Sequence, residues 1–509
     1  MAAFGLRARL RQARSRSPKP KYYDVSRLAL LALVILATLA IGHPAHSVGA
    51  EEPSPGTPLS PLTRTWAVSD AQRYPVGDRH LGGALRLRYV DHENANQLGL
   101  EDDPHRQFLR LRTQVSLDYR RSQVLRLFAM LNNESTRHIT CGSCGGGFDE
   151  IIFESLYLEA TKPWGLPFGI RLGRQDLFYG DGFVVADGTP LDCSRTSYVN
   201  GALLTSRIPL WSFDAFWLRD PRREDFLPRI NNKYTQLAEA DQTAWGLFLR
   251  REPSPGTSLR YELEPYYVFL REHSAGRTSN TYTIGTRLAL ALGWGRLIGE
   301  FAYQGGKVPE PAYLEFDPEG ILTGPQSVSA YGAHARLEAH LGPMLPIDMA
   351  AGYVYLSGDE RETRNKSEGW NPVLGRWPLW SELYVHTLWA ERYVRPQLQG
   401  FGYWQNLAMP FVKLTYDSHR SLSFEAKYLW LYANEDVPAF NVPLWDDPKL
   451  EGPRKRGELY GLKLGWEFAG LFAGHLLYEN FKPGHFYPKI DGFKPMDASY
   501  LRLELSRSF

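Results

Sequence analysis

The sequence predicts an all-β fold, a single transmembrane antiparallel β-barrel of about 18 strands with short periplasmic turns and long extracellular loops. Three observations lead to this prediction. Apolar and polar residues alternate with period two along most of the chain. The connections between these alternating segments are short and long in strict turn. No apolar run after residue 50 approaches the length of a membrane helix.

The clearest strand runs from residue 107 to residue 120, where leucine, valine and tyrosine occupy one face and charged or polar residues occupy the other. Alternation over a dozen residues is typical of a strand rather than a helix. The same pattern predicts further strands, each about as long as a tilted membrane strand requires. They lie near 82–91, 123–133, 150–161, 168–177, 199–208, 211–220, 243–251, 258–271, 281–292, 295–304, 328–341, 346–357, 409–417, 421–433, 457–468, 471–482 and 497–509.

The connections give an independent test of the barrel. A short link such as 120–123 or 292–295 is followed each time by a longer one such as 133–150 or 304–328. Periplasmic turns and extracellular loops of an outer-membrane barrel produce this rhythm, whereas a soluble sandwich or propeller has no reason to keep it. An even number of strands also places both termini on the periplasmic side.

The two ends of the chain indicate export to the outer membrane. Residues 1–50 combine a basic leader, an apolar run and a Val48-Gly49-Ala50 cleavage pattern, and we interpret them as a Sec-type signal peptide, with an uncleaved signal anchor as the alternative. Residues 51–80 are rich in proline and serine and are predicted to be a flexible periplasmic leader, so the barrel is assigned to 81–509. The last predicted strand ends on Phe509, which resembles the insertion signal of bacterial outer-membrane proteins.

Charge and cysteine content exclude some functions. Removal of residues 1–50 leaves 50 basic and 55 acidic residues, a formal net charge of −5, so a generally basic surface for nucleic acid is not indicated. Cys141, Cys144 and Cys193 are too few for a closed structural zinc site. They are interpreted as a small loop disulfide or as inert thiols, and the sequence does not assign the pairing.

Aromatic residues recur near the predicted strand ends, and we interpret most of them as interfacial girdles, with sugar-stacking platforms in the lumen as the alternative. If the aliphatic face of each strand meets lipid, the early strands present an arginine-dominated wall to the lumen. Guanidinium groups stay charged and match carboxylates bidentately, so this wall suits an anionic, carboxylate-bearing cargo. The predicted pore-lining residues are Arg86, Arg88, Arg110, Arg112, Arg126, Arg171, Arg174 and Arg195.

A structural ladder of arginine paired with acidic residues remains an alternative for this wall. Arg174 shares the lipid face with Leu172 under strict alternation, so its inclusion requires a bulge at Gly173. The aspartates between 176 and 192 fit no EF-hand spacing, and no metal or cofactor is predicted. His334 and His340 share an inward face with Glu338, but no nucleophile is placed beside them, so no enzyme activity is predicted.

Two stretches resemble the alginate export family of outer-membrane proteins. The first is Gly173-Arg-Gln-Asp-Leu followed by Gly180-Asp-Gly and Gly188-Thr-Pro-Leu-Asp192, and the second is Trp370-Asn-Pro-Val-Leu-Gly-Arg-Trp-Pro-Leu-Trp-Ser-Glu-Leu-Tyr384. The resemblance implies an eighteen-stranded barrel with an electropositive constriction that passes a secreted uronate polysaccharide, and possible periplasmic export components as partners.

The function expected from the sequence is an outer-membrane channel that passes an anionic polysaccharide, or a related polar solute, through a charged lumen. The loops at 177–199 and 357–409 are expected to gate it. The alternative is a general or substrate-specific porin that is not dedicated to polysaccharide, and an outer-membrane enzyme is less favoured. Expected partners are therefore the anionic polysaccharide or small polar solutes, together with outer-membrane lipid.

Overall fold

The computed structural model contains a closed antiparallel barrel. The structure describes residues 77, 79–95, 98, 105–140, 147–187, 199–222, 226–228, 241–253, 260–274, 276–309, 325–341, 346–359, 365–375, 379–386, 405–418, 421–435, 455–468, 471–486 and 494–509. The assigned signal peptide, nearly all of the assigned leader, the three cysteines and Arg195 lie outside these residues.

Eighteen strands form the wall, and we number them in chain order. They are β1 Arg79–Glu93, β2 Arg106–Arg120, β3 Leu125–His138, β4 Gly147–Thr161, β5 Phe168–Gln175, β6 Val199–Ile208, β7 Trp211–Asp220, β8 Asp241–Arg251, β9 Arg260–Ser274, β10 Arg277–Leu292, β11 Gly295–Val308, β12 Gln326–His340, β13 Ile347–Leu356, β14 Leu407–Ser418, β15 Leu422–Tyr432, β16 Lys455–Phe468, β17 Phe472–Pro483 and β18 Ala498–Ser508. Each pairs with the next, and β18 pairs with β1, which closes the barrel. The prediction of an 18-stranded antiparallel barrel is confirmed.

One departure from the predicted spans is at the hairpin between β9 and β10. The sequence predicts a connection from 271 to 281, but β9 extends to Ser274 and β10 begins at Arg277. Both strands continue as a paired ladder, with Glu272 opposite Ser279. This extension of the two strands lies beyond the apolar band of the barrel, so its outward residues are polar. The apolar–polar alternation by which a strand is recognised in the sequence is therefore absent there.

The two faces of the wall follow the predicted alternation. Leu111, Val115, Leu172 and Ile284 keep 41 to 51% of their surface exposed, as expected of side chains that face lipid. Inward side chains are mostly buried. Among the described residues, no helix is long and apolar enough to span a membrane.

The seam between β1 and β18 continues past the last strand residue. Phe509 donates its backbone N–H to the carbonyl of Gly83 at 3.0 Å and accepts one from Gly83 at 2.9 Å. A Cβ atom at Gly83 would lie 2.5 Å from the ring of Phe509, so only glycine leaves room for the ring there. The terminal phenylalanine therefore takes part in closing the barrel.

Candidate functional site: the barrel lumen

The segment after β5 folds into the barrel and packs against the inner wall. We call residues 176–187 the first inserted segment; it contains a two-residue ladder between Leu177–Phe178 and Ala186–Asp187. Tyr179 stacks on Phe248 with ring centroids 3.9 Å apart. Phe183 packs against His334, with centroids 5.1 Å apart. The segment therefore covers the inner faces of strands from β8 to β12.

Asp181 fixes the first inserted segment electrostatically. Its carboxylate lies 3.1 Å from Nη2 of Arg287 on β10 and 2.5 Å from Nη1 of Arg336 on β12. Burial alone would raise the pKa of Asp181, but these two guanidinium groups outweigh burial and hold the pKa well below its usual range. Asp181 is therefore ionised at any pH at which the barrel functions.

A second segment, from the connection between β13 and β14, enters the same lumen. We call residues 365–386 the second inserted segment. Trp370 stacks on Phe183 with centroids 5.2 Å apart and covers Gly332, where a Cβ atom would lie 2.6 Å from the indole. The N–H of Leu374 donates to the carbonyl of Val184 at 3.0 Å. The two inserted segments are thus hydrogen-bonded to each other as well as to the wall.

The end of the second inserted segment reaches a different part of the wall. It contains a short helix, α1 (Glu382–His386). The Ser381 hydroxyl and the Leu383 N–H both donate to Glu479 on β17, at 2.7 and 2.8 Å. Glu382 lies 3.5 Å from Nη1 of Arg502 on β18. Because Trp370 contacts β12, this segment bridges walls that are six strands apart.

Four of the predicted pore-lining arginines come together on β1 and β2. Register places Arg86 directly opposite Arg112, and Arg88 directly opposite Arg110. Like charges in directly opposed cross-strand positions are destabilising. We call these four residues the arginine cluster.

Two carboxylates serve the four guanidinium groups of the arginine cluster. Glu134 on β3 lies 3.0 Å from Arg110, 3.1 Å from Arg112 and 3.5 Å from Arg86. Glu504 on β18 lies 2.7 Å from Arg88 and 3.9 Å from Arg86. Arg110 keeps the largest share of side-chain surface, 19%. The four arginines of the cluster thus share these two carboxylates, and Arg110 is the most accessible member of the cluster.

The wall from β8 to β12 is arranged differently, and we call it the paired sector. Directly opposed residues there alternate in sign, with Glu264 opposite Arg287 and Arg287 opposite Glu300. Arg296 likewise pairs with Glu338. Counting Asp181, five carboxylates meet four guanidinium groups in this sector. They are Asp181, Glu262, Glu264, Glu300 and Glu338 with Arg250, Arg287, Arg296 and Arg336.

Three further predicted arginines, Arg126, Arg171 and Arg174, lie outside the cluster. Arg126 pairs with Asp118 at 2.6 Å, and Arg171 pairs with Glu159 at 3.1 Å, so these positions match the structural-ladder alternative. Arg174 points inward, as the bulge interpretation requires, because Gly173 has a φ of +129°. It donates to the carbonyl of Phe153 at 2.9 Å and to Asn200 at 3.0 Å, at the base of the first inserted segment.

Sequence reasoning missed the residues that position the arginines. Glu134 carried no motif, and Glu382 lies in the second stretch that resembles the alginate export family but was given no role. Their roles depend on cross-strand register and on where the second inserted segment docks. Asp181 was noted only as one of several loop aspartates. In the described part of the chain, no group of three metal-ligating side chains is close enough to hold an ion.

The fold defines the class of the protein, an 18-stranded outer-membrane β-barrel with a porin fold. No family model and no curated protein matches the sequence. Among solved structures, it is similar to OccAB1 of Acinetobacter baumannii (11% identity, 85% of this chain and 97% of that chain covered, TM-score 0.52). It is also similar to OpdO of Pseudomonas aeruginosa (13% identity, 85% and 98% covered, TM-score 0.51).

These similar structures are outer-membrane porins, and at such identities the likeness shows the fold alone. The protein is accordingly assigned to the outer membrane. The comparisons do not support the alginate export family specifically, nor polysaccharide export. The porin alternative agrees with them better.

Proposed function

We propose that the protein is a substrate-selective porin that passes small anionic solutes, with carboxylates as the preferred class, and that it acts as a passive channel rather than an enzyme. The observation that supports this proposal is the arginine cluster, in which register sets Arg against Arg in two consecutive cross-strand pairs. A purely structural ladder would alternate the signs, as the paired sector does. A carboxylate that passes beside two directly opposed guanidinium groups can be contacted by both of them.

The inserted segments support a small solute rather than a polymer. The second inserted segment spans from Trp370 beside β12 to Glu382 beside β18, and it is hydrogen-bonded to the first through Val184 and Leu374. A polymer that passed through the lumen would have to displace this crossing chain. A small carboxylate would need only the space beside it.

The proposal is tested with the full-length protein in planar bilayers. Reversal potentials in a salt gradient give the anion-to-cation permeability ratio, first for chloride and then for a small dicarboxylate. Arg110→Gln with Arg112→Gln should lower the ratio about tenfold, because each unit charge within a few ångströms contributes on the order of 1 kcal/mol even in water.

The matched control is Arg296→Gln with Glu338→Gln, which removes a neutral pair from the paired sector. This control should leave the permeability ratio within about twofold of the parent. An equal ratio in the parent and the Arg110/Arg112 variant would refute the assigned site. Current through the parent that a polyuronate blocks, but a dicarboxylate does not, would favour the polysaccharide interpretation instead.

A further inference from the structure

The outer wall of β7 to β11 bears a row of cations near its extracellular end. Arg219, Arg271 and Lys307 are exposed, and they project from the same face as the lipid-facing residues of their strands. Register places Arg219 opposite Thr243, Thr243 opposite Arg271, Arg271 opposite Asn280, and Asn280 opposite Lys307. These five residues therefore form one continuous line across five neighbouring strands, and we call it the outer basic row.

An aromatic row lies two residues closer to the periplasm on the same strands. Trp217 is opposite Trp245, Trp245 is opposite Phe269, and Phe269 is opposite Tyr282. Trp217 and Trp245 keep 51% and 42% of their surface exposed. Amphipathic rings of this kind mark the boundary between acyl chains and headgroups. The outer basic row, lying just beyond them, is therefore at headgroup level.

The spacing of the cations suits a ligand with more than one charge. Arg219 and Arg271 are two strands apart, as are Arg271 and Lys307, which corresponds to about 10 Å between their backbone positions. Thr243 and Asn280 stand between them and offer uncharged hydrogen-bond donors. Phe226 lies against the Arg219 guanidinium, with 5.8 Å from Cζ to the ring centroid, and this contact helps to orient it.

The charge of the row is not balanced by acids within it. The nearby Asp241 lies two residues before Thr243, on the same outward face of β8. It accepts a hydrogen bond from the backbone N–H of Arg222 at 2.8 Å. Elsewhere the same rim contains carboxylates: Asp91 accepts from Gln107 at 2.7 Å, and Glu458 pairs with Lys455. The β7–β11 sector is thus the part of the described rim where outward cations line up without acids between them.

We propose that the outer basic row binds the phosphate groups of a phosphorylated glycolipid in the outer leaflet. The three cations would contact the phosphates, and the acyl chains would lie on the aromatic row and the apolar wall below it. Anionic lipid headgroups attract basic residues at the membrane surface by roughly 1 kcal/mol for each Lys or Arg. Because this surface lies outside the lumen, the inference does not depend on the proposed channel selectivity.

The test uses the full-length protein refolded in detergent without added lipid. Native mass spectrometry then counts bound lipid after addition of bisphosphorylated lipid A, dephosphorylated lipid A or phosphatidylglycerol. The parent should retain bisphosphorylated lipid A at least fivefold more than the dephosphorylated form, and more than phosphatidylglycerol. The combined variant Arg219→Gln, Arg271→Gln, Lys307→Gln should lose that preference.

A matched control removes two outward cations from other parts of the extracellular rim, by Arg137→Gln and Lys482→Gln, and is compared with the double variant Arg219→Gln, Arg271→Gln. Both control residues are exposed. Single-channel conductance confirms that the variants are folded. The proposal is overturned if the parent retains both forms of lipid A equally, or if the two double variants lose the lipid to the same extent.

Discussion

The arginine cluster and the paired sector have the same types of charged residue on the same kind of strand, yet their registers differ. Across β1 and β2, Arg meets Arg. Across β9 to β11, Glu264, Arg287 and Glu300 meet in alternating sign, and Asp181 of the first inserted segment adds another carboxylate. The paired sector therefore supports an inserted segment, whereas the cluster brings guanidinium groups directly opposite one another.

The largest contrast is expected from removing the acid that each sector relies on. Glu134→Gln takes a shared carboxylate from three guanidinium groups. Glu264→Gln takes one from Arg250 and leaves Arg287 with Asp181 and Glu262. Breaking a buried pair costs about 3–5 kcal/mol when no other partner remains. We expect a clearly lower denaturant midpoint for Glu134→Gln, together with a higher anion permeability ratio.

Urea unfolding in detergent followed by tryptophan fluorescence measures the midpoint, and bilayer recording measures the ratio. A midpoint for Glu134→Gln equal to that of Glu264→Gln would show that the cluster does not depend on Glu134. In that case the comparison between the sectors would not hold.

The next effect concerns the support that the paired sector gives to the first inserted segment. Asp181→Asn removes the charge that Arg287 and Arg336 share, so we expect the segment to leave the wall more often and the single-channel conductance to rise about twofold. Asp118→Asn is the control, because Asp118 pairs with Arg126 on the wall and holds no inserted segment. Unchanged conductance in Asp181→Asn would mean that Tyr179 and Phe183 hold the segment by packing alone.

A smaller effect is expected where the second inserted segment approaches the seam. Glu382 places a carboxylate of the protein itself on Arg502, next to Glu504 and Arg88. Glu382→Gln removes this competitor, so the dicarboxylate concentration that half-blocks chloride current should fall two- to fivefold, an energy of about 0.5–1 kcal/mol. Tyr384→Phe, which removes a hydroxyl contact to Arg456 and no charge, should leave it unchanged. A rise in this concentration for Glu382→Gln would instead assign Glu382 a positioning role.

The smallest effect is a pH dependence that distinguishes the two inserted segments. Burial raises the pKa of Asp359, which precedes the second segment, to about 6, while Asp181 of the first has a lowered pKa. Between about pH 4 and 6, the folded state keeps a proton on Asp359 that the unfolded state has lost. This proton therefore adds to the free energy of unfolding at low pH, and the contribution is lost as the pH rises through 6.

Hydrogen exchange, corrected for intrinsic rates, should show Glu368 and its neighbours better protected at pH 5 than at pH 7, because protonation of Asp359 removes the cost of burying its charge. The Glu368 N–H, which donates to Asp359 at 2.7 Å, reports on this site. Asp359→Asn should remove this pH dependence. The first inserted segment should show none. Equal pH dependence in both segments would trace the effect to another group.

The strands could be predicted from sequence because lipid on one side and lumen on the other impose period two locally, residue by residue. The same alternation of outward and inward side chains predicted that Arg86, Arg88, Arg110 and Arg112 face the lumen. Which residue stands opposite which depends on register, and neither the Arg86–Arg112 opposition nor the role of Glu134 could be obtained that way. Both stretches that resemble the alginate export family overlap the inserted segments, whose docking depends on distant wall residues such as Gly332 and Arg502.

The contact between Phe509 and Gly83 has a consequence for assembly. The seam joins residues 84 and 508, so the first strand stays an open edge until the last residues of the chain arrive. The entropy cost of closing so long a loop grows only logarithmically, to about 5 kcal/mol, and a ladder of ten residue pairs offsets it. A chain shortened by its final residue would lose two hydrogen bonds and a ring at this junction. It should therefore close its last seam more slowly during folding, although all ten residue pairs between β1 and β18 would remain.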